Sequence, residues 1–428
     1  MANTNLKIDA EKLWDDLMET ARIGATDKGG INRLTLTDLD RQVRDWFKAR
    51  AQSLGATVTV DDMGAMFARR RGQRNDVPPI AIGSHLDTQP TGGKFDGCLG
   101  VHAALEVLRV LDAAGYETFA PIEAVNWTNE EGSRFTPAMV SSGVFAGAFD
   151  HDWASSRTDR SGVTFAEALA AIGYRGNVRC GENHPLSAFF ELHIEQGPKL
   201  EMEGKDIGIV TGIQGIRWFE VTVTGAERHA GTTPMPARRD ALLAAARMIE
   251  RINSIALAYA PLAVTTVGLI ETKPNSPNVV PGQVFFTVDM RHPDQDTLAS
   301  MEKMLGKIVA EMKESSRCDI AMKKILDQPP VKFDADCIAA VRLAAQESGF
   351  STRDIVSGAG HDAGYVSRVA PASMIFVPCK DGISHNEDEY ASKNQCAAGA
   401  QVLLRAVLAY DRKLAERYAE KTGDAPDR

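Results

Sequence analysis

The sequence lacks the patterns that would tie the chain to membranes, disulfides or nucleic acids. Its 428 residues contain no apolar signal-peptide core and no 18-residue apolar run, so neither a secretory leader nor a membrane-spanning helix is predicted. The six scattered cysteines form no CxxC pair, which predicts free thiols in a reducing cytoplasm. With 48 basic and 57 acidic residues the net charge is −9, which argues against the basic surface typical of nucleic-acid binding.

Several catalytic and nucleotide-binding motifs are also missing. Gly92-Gly93-Lys94 does not meet the P-loop spacing, because Phe95 stands where Ser or Thr is required. The glycine-rich stretch 358–364 lacks the GxGxxG spacing. Neither HExxH nor GxSxG occurs, so a zinc-protease helix and a serine nucleophile elbow are not predicted. No internal repeat or low-complexity tract is present.

The order of predicted elements indicates an α/β protein with a second domain inserted into it. Apolar strands that end in polar loops are predicted at 80–84, 121–127, 189–194 and 372–377, with helices at 98–114, 335–348 and 391–417. Between them the pattern is β-α-β-β-α-β, with strands at 217–224, 262–270, 283–290 and 318–325 and helices at 237–258 and 295–313. We therefore expect a discontinuous catalytic domain, 1–212 and 330–428, and an inserted domain, 213–329.

Histidines and carboxylates stand together at the ends of the apolar strands. They are His85 with Asp87 and Asp96, Glu130 with Glu131, His193 with Glu195, and His385 with Glu387. Because the carboxyl ends of strands form the ligand-binding edge of an α/β sheet, these side chains are expected to lie together. Imidazole with carboxylate suits zinc, manganese, cobalt or nickel rather than calcium. A carboxylate in a glycine-flanked turn, such as Asp96, fits a position that reaches two cations.

The adjacent acids Glu130 and Glu131 suggest a division of roles. Two neighbouring buried carboxylates repel each other unless cations neutralise them, so one fits a ligand and the other a general base toward a water molecule. For any single histidine, an ordinary hydrogen-bonded loop residue is the simpler interpretation, and it is kept for His102, His151 and His184. The strand-end acids and imidazoles, taken jointly, favour a metal site.

Two residues of the inserted domain suggest how a substrate is held. Arg291 follows a predicted strand and suits a bidentate clamp for a carboxylate, with a surface ion pair as the alternative. His229 lies in a turn after a strand, where it either stabilises an oxyanion or serves only the turn.

Seven motifs, in order along nearly the whole chain, carry a resemblance to a known family. They are Gly83-Ser-His-Leu-Asp-Thr, Gly93-Lys-Phe-Asp-Gly97, Asn129-Glu-Glu-Gly-Ser-Arg-Phe135, His193-Ile-Glu-Gln-Gly-Pro198, His229-Ala-Gly-Thr-Thr-Pro-Met235, Gly358-Ala-Gly-His-Asp362 and Ser384-His-Asn-Glu387. The chain resembles the hydantoinase/carbamoylase branch of the dinuclear zinc aminoacylase and carboxypeptidase clan. The resemblance implies an aminopeptidase-like mixed-sheet catalytic domain with an inserted ferredoxin-like α+β domain that acts as lid and dimerises the protein.

The resemblance also implies roles for individual residues. One divalent metal ion, Zn²⁺ first and Mn²⁺, Co²⁺ or Ni²⁺ as alternatives, would be held by His85, Asp96 and His193, and a second by Asp96, Glu131 and His385. Glu130 would be the general base, and Asp87 would orient His85. His229 would stabilise the oxyanion. The substrate would be bound by Gln196, Asn278, Arg291 and the backbone of Gly360. One departure from the family pattern is that Arg228 precedes His229.

The implied reaction is hydrolysis of an N-carbamoyl (ureido) amino acid to the amino acid, carbon dioxide and ammonia. The stretches 86–90, which includes Gln89, 213–218 and 379–385 resemble β-ureidopropionases most, which puts N-carbamoyl-β-alanine first among substrates. N-Carbamoyl-L-amino acids come next and allantoate third. A dinuclear aminoacylase or dipeptidase is a further enzyme alternative. A metal-free binding or scaffold protein is the alternative from another class.

Overall fold

The structure, a computed structural model, describes residues 6–422, which form two compact units. One unit comprises the described residues up to Thr211 together with those from Phe333 onward, and the other comprises Gly212–Lys332. None of the helices between residues 6 and 422 is long and apolar enough to cross a membrane. All six cysteines are buried and unpaired.

The first part of the chain alternates helices with short strands. Its helices are α1 (Ala10–Thr20), α2 (Asp38–Ser53), α3 (Cys98–Ala113), α4 (Val140–Phe145), α5 (His151–Ser155), α6 (Phe165–Ala171) and α7 (Lys199–Met202). Its strands are β1 (Thr57–Val60), β2 (Met66–Arg70), β3 (Ile80–His85), β4 (Ile122–Trp127), β5 (Ala188–Ile194) and β6 (Ile207–Ile213). Asp9 and Thr37 cap α1 and α2 by accepting backbone N–H groups, and α6 begins with a complete capping box of Thr164 and Glu167.

The second unit contains most of the long antiparallel strands. Its elements are β7 (Gly215–Thr224), β8 (Arg228–His229), α8 (Ala241–Ala258), β9 (Val264–Thr266), β10 (Ile270–Lys273), β11 (Val279–Val280), β12 (Gln283–His292), α9 (Gln295–Ser316), β13 (Asp319–Gln328) and β14 (Val331–Lys332). The chain then returns to the first unit with α10 (Ala335–Glu347), β15 (Thr352–Ser357), α11 (Asp362–Val366), β16 (Ala372–Val377) and α12 (Lys393–Thr422).

The sheet of the first unit is mixed, with a parallel centre. Its strand order is β1-β2-β4-β3-β5-β16-β6, and β15 also pairs with β6. The four central strands β4, β3, β5 and β16 run parallel, whereas β2 and β6 pair antiparallel with the outer two of them. Every residue of these central strands is buried, as expected for parallel strands covered on both faces. The carboxyl ends of four parallel strands therefore meet at one edge.

The second unit has an antiparallel sheet ordered β10-β12-β7-β13, with β9 also beside β12. Residues of β12 alternate between buried and half-buried, and the buried ones pack with α8 and α9 in one apolar core. The predicted strand 262–270 is split, since Thr266 lies opposite Asp289 and Ile270 opposite Phe286, which leaves one extra residue as a bulge. The predicted helix start at 237 is wrong, because Met235–Ala237 form a 3₁₀ turn and Asp240 caps α8.

Candidate metal centre and active site

The parallel strands bring the sequence-predicted ligands to one edge of the sheet. His85 is the last residue of β3, and Glu130 and Glu131 follow β4 closely. His193 lies near the end of β5, opposite Phe376 of β16, and the turn after β16 carries His385. Asp96 stands immediately before Gly97, from which α3 starts. These side chains are brought together because their strands end side by side, and not because the residues are close in the sequence.

His85, Asp96 and His193 form the first candidate metal group, with one ligand atom of each within 4.8 Å of the others. Asp96 Oδ1 lies 3.6 Å from His85 Nε2 and 3.2 Å from His193 Nε2. The other ring nitrogens face backbone carbonyls: His85 Nδ1 donates to Asp87 O at 2.9 Å, and His193 Nδ1 to Ile194 O at 2.9 Å. Because a carbonyl only accepts, each Nδ1 carries the hydrogen, and both Nε2 atoms face the group.

Asp96, Glu131 and His385 form the second candidate group. His385 Nε2 lies 3.6 Å from Asp96 Oδ2 and 3.4 Å from Glu131 Oε2. Asp96 thus turns one oxygen toward each group and belongs to both. This is the position the sequence analysis expected of a carboxylate that reaches two cations. His385 has φ +55° and half of its side chain is exposed, so this group is the one nearer to solvent.

The residues present fit divalent cations. His85 Nε2 is buried and has no hydrogen-bond partner among residues 6–422. Burial lowers the pKa of His85 to about 4, so the imidazole is neutral at pH 7 and offers a lone pair. Burial and the neighbouring carboxylates raise the pKa values of Glu130 and Glu131 well above the usual range. A cation placed among these donors would relieve that repulsion, and nitrogen with oxygen ligands is a set that zinc and its neighbours accept.

Asp87 acts mainly on the pair of adjacent glutamates. Its Oδ1 accepts the N–H of Glu130 at 3.3 Å and its Oδ2 accepts the N–H of Glu131 at 3.2 Å. The carboxylate lies 3.8 Å from His85 Nδ1, so the carbonyl of Asp87, rather than its side chain, makes the close hydrogen bond to His85. Glu130 Oε2 lies 3.4 Å from His85 Nε2, beside the first group but outside both. A free carboxylate therefore adjoins the candidate metal centre.

Two of the sequence-predicted substrate residues lie in the first unit. The Gln196 amide donates to Asp96 Oδ2 at 2.7 Å, and its backbone has φ +56°. Gly360 lies against the end of the Met139 side chain, since a Cβ on Gly360 would come within 2.8 Å of Met139 Cε.

The other predicted substrate residues lie in the second unit. Pairing of β8 with β11 brings His229 beside Asn278, and Ala230 N donates to Asn278 O at 2.9 Å. His229 is exposed, and its Nδ1 accepts backbone N–H groups at 3.0 and 3.2 Å, which leaves the hydrogen of the neutral ring on Nε2. The guanidinium of Arg291 is held by Asp289, with Nε–Oδ1 at 2.9 Å and Nη2–Oδ2 at 2.7 Å.

Some strand-end acids and the remaining histidines have ordinary structural roles. Glu195 accepts the N–H groups of Lys199 and Leu200, and Glu387 lies 3.9 Å from Lys28 Nζ, so neither belongs to a metal group. The histidines interpreted as structural are bonded within the fold, as His102 to Thr20 and Cys98, His151 to Asp62 and Asp152, and His184 to Glu123.

Several buried polar side chains near the candidate metal centre were not identified from the sequence. Glu191, His193 and His361 also come within 4.8 Å of one another, and the His361 ring lies 4.6 Å from that of His193. Glu191 accepts Ser84 Oγ–H at 2.6 Å and Ala363 N–H at 2.9 Å. Strand periodicity offered a signal for it, since Glu191 precedes His193 by two residues and so faces the same side. Asp362, which is hydrogen-bonded to Ser142, could not be recognised from the sequence except by its position in a glycine-rich turn.

A mixed α/β sheet with two ligand groups that share a carboxylate at its carboxyl edge is an arrangement that fits a metal-dependent hydrolase. The model of Peptidase family M20/M25/M40 matches residues 81–409, and the chain belongs to this family. Its relatives include an N-carbamoyl-L-amino-acid amidohydrolase of Rhizobium meliloti, 47% identical over 94% of this chain and 97% of the relative. An allantoate amidohydrolase of Bacillus subtilis is 37% identical over 93% of this chain and 97% of the relative.

A solved structure agrees with these relatives. A hydantoinase/carbamoylase family amidase from Burkholderia multivorans is 56% identical and superposes with a TM-score of 0.92 over 94% of this chain and 98% of that one. The resemblance stated from the sequence motifs is thereby confirmed, as is the mixed α/β fold class. The protein is a hydrolase that acts on amide C–N bonds.

Proposed function

We propose that the protein hydrolyses N-carbamoyl amino acids to the amino acid, carbon dioxide and ammonia, with two divalent cations as cofactors. The observation that carries the proposal is the shared carboxylate of Asp96 between two ligand groups, with the free carboxylate of Glu130 3.4 Å from His85. N-Carbamoyl-L-amino acids are now placed first among substrates, because the relatives that support the activity carry that name. The sequence motifs favoured N-carbamoyl-β-alanine, but none of the relatives named above is a β-ureidopropionase. This substrate is therefore included in the substrate panel as the second candidate.

The side chains divide the chemistry among them. Cations held by His85, Asp96, His193, Glu131 and His385 supply, when bound, Lewis-acid polarisation of the ureido carbonyl and acidification of a water molecule; zinc is the first choice and manganese, cobalt and nickel are alternatives. Glu130 accepts the proton of the attacking water and passes it to the amino-acid nitrogen as the C–N bond breaks, and the carbamic acid released then decomposes to carbon dioxide and ammonia. Asp87 positions the backbone of Glu130 and Glu131 by accepting their N–H groups on its two oxygens.

The roles proposed in substrate recognition are those that the family resemblance implies. His229 Nε2–H stabilises the developing oxyanion, while Arg291 and Asn278 bind the carboxylate end. Gln196 and the backbone of Gly360 bind the ureido group, which requires the Gln196 amide to exchange its bond to Asp96 for the substrate. The second unit also carries the proposed lid and homodimer interface, and the cytoplasmic location predicted from the cysteines belongs to the same proposal.

A substrate panel tests the proposal. Metal-free protein, prepared with a chelator, is assayed with Zn²⁺, Mn²⁺ or Co²⁺ on N-carbamoyl-L-amino acids, their D-enantiomers, N-carbamoyl-β-alanine and allantoate. N-Acetyl amino acids and dipeptides test the aminoacylase and dipeptidase alternatives. We expect activity on N-carbamoyl-L-amino acids that is lost on chelation and restored by metal. Turnover only of acetylated or peptide substrates, or full activity in the chelated protein, would overturn the proposal.

A further inference from the structure

Gln89, a residue that the sequence analysis associated with the substrate, contacts a predicted metal ligand. Its Nε2 donates to Glu131 Oε2 at 2.7 Å and lies 3.4 Å from the backbone oxygen of the same residue. Glu131 Oε2 also lies 3.4 Å from His385 Nε2. The amide of Gln89 and the imidazole of His385 thus contact the same carboxylate oxygen, and Glu131 belongs only to the second metal group.

Glu389 makes the corresponding contact with the segment that carries Asp96. Its Oε1 accepts the N–H groups of Phe95 and Asp96, each at 3.0 Å, and the side chain is almost completely buried. The loop lies so close that a Cβ on Gly93 would come within 2.2 Å of Glu389 Oε1, which explains the glycine there.

Ser384 links this carboxylate to the ligand itself. Its Oγ lies 2.7 Å from Asp96 Oδ2 and 3.2 Å from Glu389 Oε2, so one hydroxyl hydrogen has two acceptors. Ser384 immediately precedes His385, so Glu389 connects the turn that carries this histidine with the loop that carries Asp96. One buried side chain therefore sets the relative positions of two ligands.

From these contacts we infer that Gln89 and Glu389 are positioning residues for the two carboxylate ligands, Gln89 for one cation site and Glu389 for both. The difference follows from the ligand sets, because Glu131 occurs in one group and Asp96 in both. Residues that orient metal ligands typically change metal affinity by about 10- to 100-fold when they are removed. The inference rests on the proposed metal centre and adds to it an assignment of which residue acts on which site.

Zinc titration of the metal-free protein tests the inference, with calorimetry or a competing chelator as the readout. In Gln89→Met we expect one of two zinc equivalents to weaken by about 10- to 100-fold and the other to stay unchanged. In Glu389→Ala we expect both to weaken. Glu389→Gln keeps an oxygen that accepts the two N–H groups, so it should restore most of the affinity. If the alanine variant does not fold, Ser384→Ala replaces it, because it removes the hydroxyl that joins Glu389 to Asp96 and should also weaken both zinc equivalents.

Two matched controls separate metal positioning from stability. Asp411 accepts the N–H groups of Phe119 and Ala120, each at 2.8 Å, at the opposite end of β4 from the metal groups. Asp411→Ala therefore removes the same kind of contact without touching a ligand. Gln401→Met does the same for a glutamine that binds the backbone of Leu6 and Ile8. Both controls should bind zinc like the wild type, whatever their melting temperatures.

The outcomes distinguish failure of the inference from failure of the proposed function. If folded Gln89→Met and folded Glu389→Ala bind two zinc ions as tightly as the wild type, the positioning roles are overturned. Loss of both equivalents in Gln89→Met would likewise contradict its assignment to one site. If the wild type itself binds no zinc, manganese or cobalt, the proposed metal centre fails first, and the inference fails with it.

Discussion

Gly97 offers the sharpest test of how the backbone shapes the centre. It stands between Asp96 and α3 with φ +64°, and a Cβ at this position would lie 2.3 Å from His85 Cε1 and Nε2. Ordinary contacts of a Cβ begin at 3.4 Å, so in Gly97→Ala the imidazole must shift by about 1.1 Å, the difference between these distances. His85 is fully enclosed and bonded to Asp87 O, so this shift takes Nε2 out of the ligand group.

The expected loss is large because metal geometry tolerates little displacement. Ligand distances normally hold to about 0.2 Å, and a misplacement of about 1 Å at a reacting centre costs on the order of 100-fold in rate. At φ +64° and ψ −49° Gly97 lies outside the backbone regions open to other residues, so alanine there adds backbone strain as well. We therefore expect Gly97→Ala to lose bound metal and at least about 100-fold in kcat/KM.

Gly115→Ala is the matched control for this prediction. Gly115 follows the other end of α3 with φ +58°, and a Cβ there meets nothing within 4 Å. An alanine at this positive φ suffers backbone strain without any collision, so the variant should have a lower melting temperature but keep metal and activity. The measurements are thermal unfolding, metal content after dialysis and kcat/KM. Wild-type metal content and activity in Gly97→Ala would refute the reasoning.

Three further predictions concern the base, pH and a buried ion pair. Glu130→Gln should lower kcat by about 10²- to 10⁴-fold. Two metal ions should remain bound, because Glu130 lies in neither ligand group. Full activity, or loss of activity and metal together, would contradict the role of Glu130 as base. Burial raises the pKa of Asp411 from 3.8 to about 6, so the folded protein binds this proton more tightly than the unfolded chain does. Its contribution to stability therefore falls as pH rises from about 4 to about 6, and urea unfolding of Asp411→Asn should lack that slope relative to the wild type. Arg44→Met removes the partner 2.9 Å from the buried Asp40 and two further hydrogen bonds, and should cost about 3 to 5 kcal/mol of unfolding free energy; a loss below about 1 kcal/mol would show that the pair contributes little.

The candidate metal ligands could be selected from the sequence because each follows an apolar strand or lies in a polar or glycine-rich turn. His85 ends the run 80–84, and His193 ends the run 189–194, so strand periodicity and the parallel-sheet rule place them at one edge. Asp96 and His385 were also singled out from their turns, but only the family resemblance assigned the ligands to two separate metal ions, since nothing in a turn's sequence specifies which strand it approaches. Their distances of 3.2 to 3.6 Å from neighbouring ligand atoms exist only in the folded chain.

Other parts of the site could not be predicted from the sequence. Asp87 was expected to orient His85, but the sequence did not indicate through which atoms: its carbonyl accepts the 2.9 Å bond from His85, and its carboxylate binds two backbone N–H groups. A sequence motif does not show which backbone atoms form hydrogen bonds. Glu389 and Gln89 are separated from Asp96 and Glu131 by long stretches of chain, so their contacts depend on how loops from different strands pack.

The sequence by itself determined the α/β class, the alternation of buried strands with polar ends, and the chemical identity of the donors, because hydrophobic periodicity and residue type are local properties. It also determined the reaction class through its ordered motifs, which the family match confirms. Only the tertiary structure decided that Asp96 turns one oxygen to each ligand group and that Gly97 leaves room for His85. Only it showed that Gln89 contacts a ligand. These facts depend on distances of a few ångströms between segments far apart in the chain, which packing and strand register set and no single segment encodes.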